Sequence, residues 1–201
     1  MMKFSSILFF VVAFLNAGCS SYSAFSLDSG VDIYNDVDST DAFYKRFSDT
    51  PLSDTTPLFW LSAHVDRLPT LFRYELARRL QALGMHEQAL KEVAKARILR
   101  DMEVEQCSTK NTSRVKNVLF LTDNIETGVH GADRIADPLW ISAIGEALNW
   151  GVPQRVAGFT SSWICGTGNV EKTLKAIRAS QAKYTFLSND YEKLKASSVN
   201  K

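Results

Sequence analysis

Between Thr56 and Glu105 the chain is punctuated at Pro57, Pro69 and Gly84, and the stretches between them are apolar on a helical period. No other feature narrows the architecture as much. Thr56-Pro57 puts a hydroxyl residue before a proline at the first helical position, where a missing N–H costs nothing. The period predicts a helix through Leu58–Leu68, broken at Pro69, where the next one starts. Leu71 to Leu83 then sets Leu76, Ala77 and Leu80 on one stripe, with Arg78 and Arg79 off it. Gly84 supplies the left-handed residue that ends a helix. From Met85 or His86 to about Glu105 a further helix turns Ala89, Val93 and Ala96 inward. The fold class is therefore mainly α, with helical hairpins in a compact bundle.

The spacing of Leu76, Ala77, Leu80, Gly84, Ala89, Val93 and Ala96 resembles one tetratricopeptide repeat, over about Thr70–Asp101. Small residues at Ala77 and Ala89 let two antiparallel helices approach, and Gly84 makes the turn. Arg73 stands where the family prefers Trp, and Asp101 where it prefers Pro. The resemblance implies recognition on a concave side by exposed first-helix residues, which map to Tyr74, Arg78 and Gln81. An aromatic ring, a guanidinium and an amide suit capture of a peptide or helix.

One such unit cannot bury its own face, so neighbours are required. Pro57–Ala63 is echoed by Pro138–Ala143, with Leu68 matched by Leu148, and Trp140 to Gly151 repeats the spacing of the family's first helix. A second helical unit, by duplication or by coincidence of sequence, is expected there. Val170 to Ser180 is amphipathic, with Val170, Leu174 and Ile177 on one side. Residues 57–183 form the helical domain in this reading, and 184–201 a polar tail. Asn111–Asp137 reads as the least helical stretch. Its apolar run Val118–Leu121 is either a short strand near 117–122 or a buried helical turn, and Gly128 to Asp133 reads as a loop.

At the other end, Lys3 precedes an apolar run, Ile7–Leu15, too short to span a bilayer, and small residues lead to Cys19. The segment Met1–Cys19 resembles a bacterial lipoprotein signal, with residues 1–18 removed and Cys19 carrying the lipid. Asn16 departs from the aliphatic residue such signals place there, and an ordinary signal peptide cleaved after Ala17 or Gly18 is the alternative. Ser20 and Ser21 imply sorting to the outer membrane. A secreted or soluble periplasmic product is the other address. Residues 19–56 then read as a lipidated start and a polar tether, partly ordered by Phe43, Tyr44 and Phe47. Asp28, Asp32, Asp36, Asp38 and Asp41 lack the spacing of a calcium loop.

Without Lys3 the chain carries 22 basic and 22 acidic residues, a balance that gives no electrostatic reason to bind nucleic acid or an anionic membrane. With Cys19 given to lipid, Cys107 and Cys165 remain as an even pair in an oxidising compartment, and a structural disulfide is expected over a reactive thiol. His64, His86 and His130 carry no catalytic signature, and His130 with Glu126 and Asp133 lacks metal-ligand spacing. Cys165–Asn169 is glycine-rich without the lysine of a phosphate loop. It reads as a turn that lets Cys165 reach Cys107, with Thr167 or Asn169 capping the helix after it. Asn111-Thr112-Ser113 is formally a glycosylation sequon.

The expected function is a non-enzymatic, membrane-anchored interaction protein without cofactor or metal. Its partner would be another envelope protein or a peptide, and its membrane contact the N-terminal lipid. Assembly or piloting of a secretion system or pilus is one such role. An immunity or inhibitor protein against a toxin or hydrolase is the alternative. A small envelope hydrolase using His130 or Cys165 is a third reading.

Overall fold

The structure is a computed structural model that describes residues 36–131, 138–150, 161–171 and 174–199. Cys19 and the signal segment lie outside these residues, as do Asp133 and Gly151. Eight α-helices are present among the described residues: α1 Val37–Asp49, α2 Thr56–His64, α3 Thr70–Ala82, α4 His86–Val104, α5 Ser113–His130, α6 Pro138–Trp150, α7 Ser162–Cys165 and α8 Leu174–Val199. They form a helical bundle, with a 3-10 turn, Val65–Arg67, between α2 and α3.

The punctuation seen in the sequence sets the start of α2 and the bounds of α3 and α4. Helix α2 itself ends at His64, short of the expected Leu68, and a 3-10 turn carries the chain on toward Pro69. Pro57 lies in the first turn of α2, and Asp54 rather than Thr56 supplies the polar contact there, its carboxylate accepting from the Thr56 N–H at 2.9 Å. Gly84 has φ +75°, the left-handed geometry expected at the α3–α4 turn. Leu76, Ala77, Leu80, Ala89, Val93 and Ala96 are all buried, so the α3–α4 hairpin packs through the stripe the sequence marks.

Three assignments change. Of its two readings, the stretch about Val118 takes the helical one as the middle of α5, and the loop expected from Gly128 is instead helix as far as His130. Val115, Val118, Thr122, Ile125 and Val129 recur at alternating steps of three and four and are all buried, whereas Phe120 is 71 % exposed. Thr112, the middle of the sequon, caps α5 by accepting from the Val115 N–H at 3.2 Å.

The second change is at α1, inside the stretch read as tether. Asp36 caps it, accepting from the Ser39 N–H at 2.8 Å. Its Phe43 and Phe47 are buried against Trp60 and Phe72, with ring centroids 5.4–5.8 Å apart. Asp41 receives Arg114 from α5 at 2.5 and 2.7 Å. The folded part thus begins well before residue 57, because two phenylalanines on one helical face outweigh the polar residues around them.

The third change concerns the C-terminal third. Residues 184–199 are helical, within α8, and Leu187 and Tyr191 pack partly against the main core. Tyr191 lies over Gly145 of α6, where even a methyl group would meet its ring. Val170 belongs to no helix. It pairs with Cys107 as an antiparallel bridge, flanked by Ser108 N–H to Asn169 O at 2.8 Å and Glu171 N–H to Gln106 O at 2.7 Å. Neither Thr167 nor Asn169 therefore caps a helix beginning at Val170.

That bridge shares Cys107 with the Cys107–Cys165 disulfide, whose Cα atoms lie 5.1 Å apart. A small second core gathers there, with Leu71, Val115, Val118, Trp163 and Ile164 buried around the sulfurs. Glu103 sits beside it, accepting from Thr70 Oγ1 at 2.9 Å and from Trp163 Nε1.

Candidate functional site

Helix α3 carries an unusual load of buried charge, and that load positions the site. Arg73, Glu75 and Arg79 are all buried, although Arg79 was expected to lie off the apolar stripe. Arg79 donates to Glu75 at 2.8 Å, and to the backbone carbonyls of Phe47, Thr50, Pro51 and Asp54. These carbonyls belong to the C-terminus of α1 and the loop after it, so a buried guanidinium does the work of a C-cap. A charged side chain is tolerated inside because nearly every donor finds an acceptor.

One turn along, Tyr74 and Arg100 tie α3 and α4 to α5. Tyr74 is fully buried and donates to Glu126 Oε1 at 2.8 Å. Arg100 donates to Thr122 Oγ1 at 2.8 Å and Asp123 at 2.9 Å, and it pairs with Glu126 at 3.1 Å. Burial holds the Tyr74 phenol well above its ordinary titration range, and the Glu126 carboxylate pushes in the same direction. Tyr74 is thus removed from the recognition surface: α5 covers the face of α3 that a lone hairpin would leave open.

Arg78 and Gln81 are not covered. Both are half-buried and line an open groove of about 390 Å³ between α3 and α5. Leu52 and Ala82 form one wall, Leu121, Ile125 and Val129 the other, and Gly128 leaves a gap where a side chain would meet nothing within 4 Å. Asn124 adds an amide on the α5 side. Arg78 uses two of its five N–H groups on Glu75, through Nε at 2.8 Å and Nη2 at 2.9 Å. Its hydrogen bonds to Glu75 raise its already high pKa, so it stays charged at any working pH.

The structure therefore brings two of the three proposed recognition residues to one groove and buries the third. The α5 residues of the groove escaped the sequence reading. Their signal was the three-four spacing from Val115 to Val129, which the short apolar run Val118–Leu121 obscures.

The other sequence candidates are placed elsewhere. Glu126 is committed to Tyr74 and Arg100, and His130 ends α5 with Nδ1 2.7 Å from Gly131 O and its ring 4.9 Å from Trp140. Cys165 has its sulfur in the disulfide. Among the described residues no three His, Cys, Asp or Glu side chains converge as metal ligands would.

A second depression of about 310 Å³ lies where α3, α4 and α6 meet, with Arg73 and Lys95 over the Trp150 ring at 4.8 and 5.2 Å. Its charges satisfy one another: Arg73 pairs with Asp66 and Glu92, Lys95 with Glu92, and Lys91 with Glu87 and Glu146. It offers a ligand little that is not already taken.

Fold and site define a helical bundle with an open, largely apolar groove that carries the Arg78 guanidinium. The chain matches no protein-family model, no curated protein and no solved structure.

Proposed function

We propose that this protein is a lipid-anchored interaction protein of the bacterial envelope. It holds another envelope protein through the α3/α5 groove, and it is not an enzyme. The observation that carries this reading is the groove itself: apolar walls, one guanidinium and two amides in an open trough suit protein capture. The Met1–Cys19 pattern supports the anchor, with Cys19 as the acylated residue and the periplasmic face of the outer membrane as the address. The α3–α4 hairpin supports a tetratricopeptide-like use of first-helix residues, now restricted to Arg78 and Gln81. Assembly or piloting of an envelope machine, such as a secretion system or a pilus, is the role that joins these features.

Two measurements test the reading together. Cells fed an alkyne fatty acid should label the intact protein, and Cys19→Ala should abolish the label and shift the protein from the membrane to the soluble fraction. Chemical crosslinking in those membranes followed by capture should recover one envelope protein in near-stoichiometric amount. An unlabelled, soluble protein that captures nothing would sink the proposal.

A further inference from the structure

The groove's charge and shape say more about its occupant than that it is a protein. Among the described residues lining it, Arg78 alone is charged, and no carboxylate faces it there. Glu75, buried beneath, is shared by two guanidiniums, Arg78 and Arg79. Two guanidiniums against one carboxylate leave a net positive charge, and of the two only Arg78 reaches the groove. Glu75 anchors the Arg78 fork from one side, which leaves three N–H groups not directed at it. A fixed, half-exposed guanidinium beside apolar walls is the complement of a carboxylate at the edge of an apolar surface.

The walls select the rest of the occupant. The trough is open along its length, so a fatty acid lying in it would keep much of its tail in water, whereas small-molecule sites cover most of their ligand. A helix brings its own cover. Phe120, 71 % exposed and one turn before Asn124 on α5, extends the apolar rim beyond the trough, together with Leu121 at 38 %. Gly128 adds no side chain to the α5 wall, and the space where a Cβ would stand is open.

We propose, building on the interaction function above, that the groove takes one amphipathic α-helix of a partner protein. Its apolar anchors, spaced three and four apart, fill the trough beside Gly128, and a single carboxylate at their edge pairs with the Arg78 guanidinium.

The test is site-specific photocrosslinking of the full-length protein in its own cells. A benzophenone amino acid is placed at Ala82, at Leu121 and, as a control on α8, at Phe186, and the joined peptides are sequenced by mass spectrometry. Adducts from Ala82 and Leu121 should map to one helical segment with an Asp or Glu flanking its apolar face. Arg78→Gln should cut their yield about 10-fold or more. Gly128→Trp, which fills the gap from an exposed backbone position, should abolish them. Thermal melts confirm that each variant is folded, and if Arg78→Gln melts early, Gly128→Trp and the mapped sequence decide alone. Groove adducts in a segment without a carboxylate, or unmoved by Arg78→Gln in a folded variant, overturn this proposal and leave the interaction function standing. Adducts to lipid alone overturn it as well. Adducts from Phe186 with none from the groove overturn the groove as the docking site, and silence at all three positions overturns both.

Discussion

Arg79 and Tyr74 show how far a single side chain's role can lie from its place in a sequence pattern. Arg79 is charged and off the apolar stripe of α3, yet it is buried and closes the end of α1 through four carbonyls. Replacing it by Met would remove five charge-assisted hydrogen bonds and leave Glu75 with Arg78 as its partner. Breaking a buried ion pair in this way costs about 3–5 kcal/mol, so Arg79→Met should lower the urea midpoint sharply while Arg78→Gln lowers it less. Equal midpoints for the two variants would contradict the capping role.

Tyr74 and Tyr44 carry the pH dependence at this scale. Burial raises both phenols above the ordinary value of 10.0, with Glu126 adding to the effect at Tyr74 and Glu75 at Tyr44. A group whose pKa is raised on folding contributes stability that is fully present below its unfolded value and lost as the pH rises toward the folded one. Denaturation midpoints should therefore fall as the pH climbs past 10.0. A midpoint that holds steady through that range would show that the phenols titrate freely.

At the scale of elements, α5 is the informative case. Its buried positions at three-four spacing are a complete helical signal, but the apolar run inside it imitates a strand and Gly128 imitates a loop. Gly128 is an exposed glycine inside a helix, with open space where a Cβ would go. Glycine at such a position costs roughly 0.5–1 kcal/mol relative to alanine. Gly128→Ala should accordingly raise the unfolding free energy by about that amount, read from denaturant curves. A loss of stability would mean that α5 is not a continuous helix there. The punctuated elements α2, α3 and α4 were legible because proline and glycine act through local backbone sterics. Helix α1 was not, since its two phenylalanines are ordinary residues until Trp60 and Phe72 are brought beside them.

For the molecule as a whole, the Cys107–Cys165 link joins the end of α4 to α7 across a separation of 58 residues. Losing it should cost about 2–4 kcal/mol. The Cys107→Ala/Cys165→Ala double variant should melt earlier and still show a helical circular dichroism spectrum, because the main core lies apart from the sulfurs. Unchanged melting in the oxidised and reduced protein would show that the bond constrains nothing.

What the sequence determined by itself was local or compositional. It specified a mainly α fold, the α3–α4 hairpin with its Gly84 turn, and the pairing of Cys107 with Cys165. Each follows from backbone sterics, helical periodicity or counting, which need no knowledge of distant neighbours. The groove was decided by tertiary structure alone. It exists because α5 returns onto α3, burying Tyr74 through Glu126 and leaving Arg78 and Gln81 at the rim. Which face of a helix a neighbour covers depends on contacts between residues some fifty positions apart, and no periodicity within either helix encodes that choice.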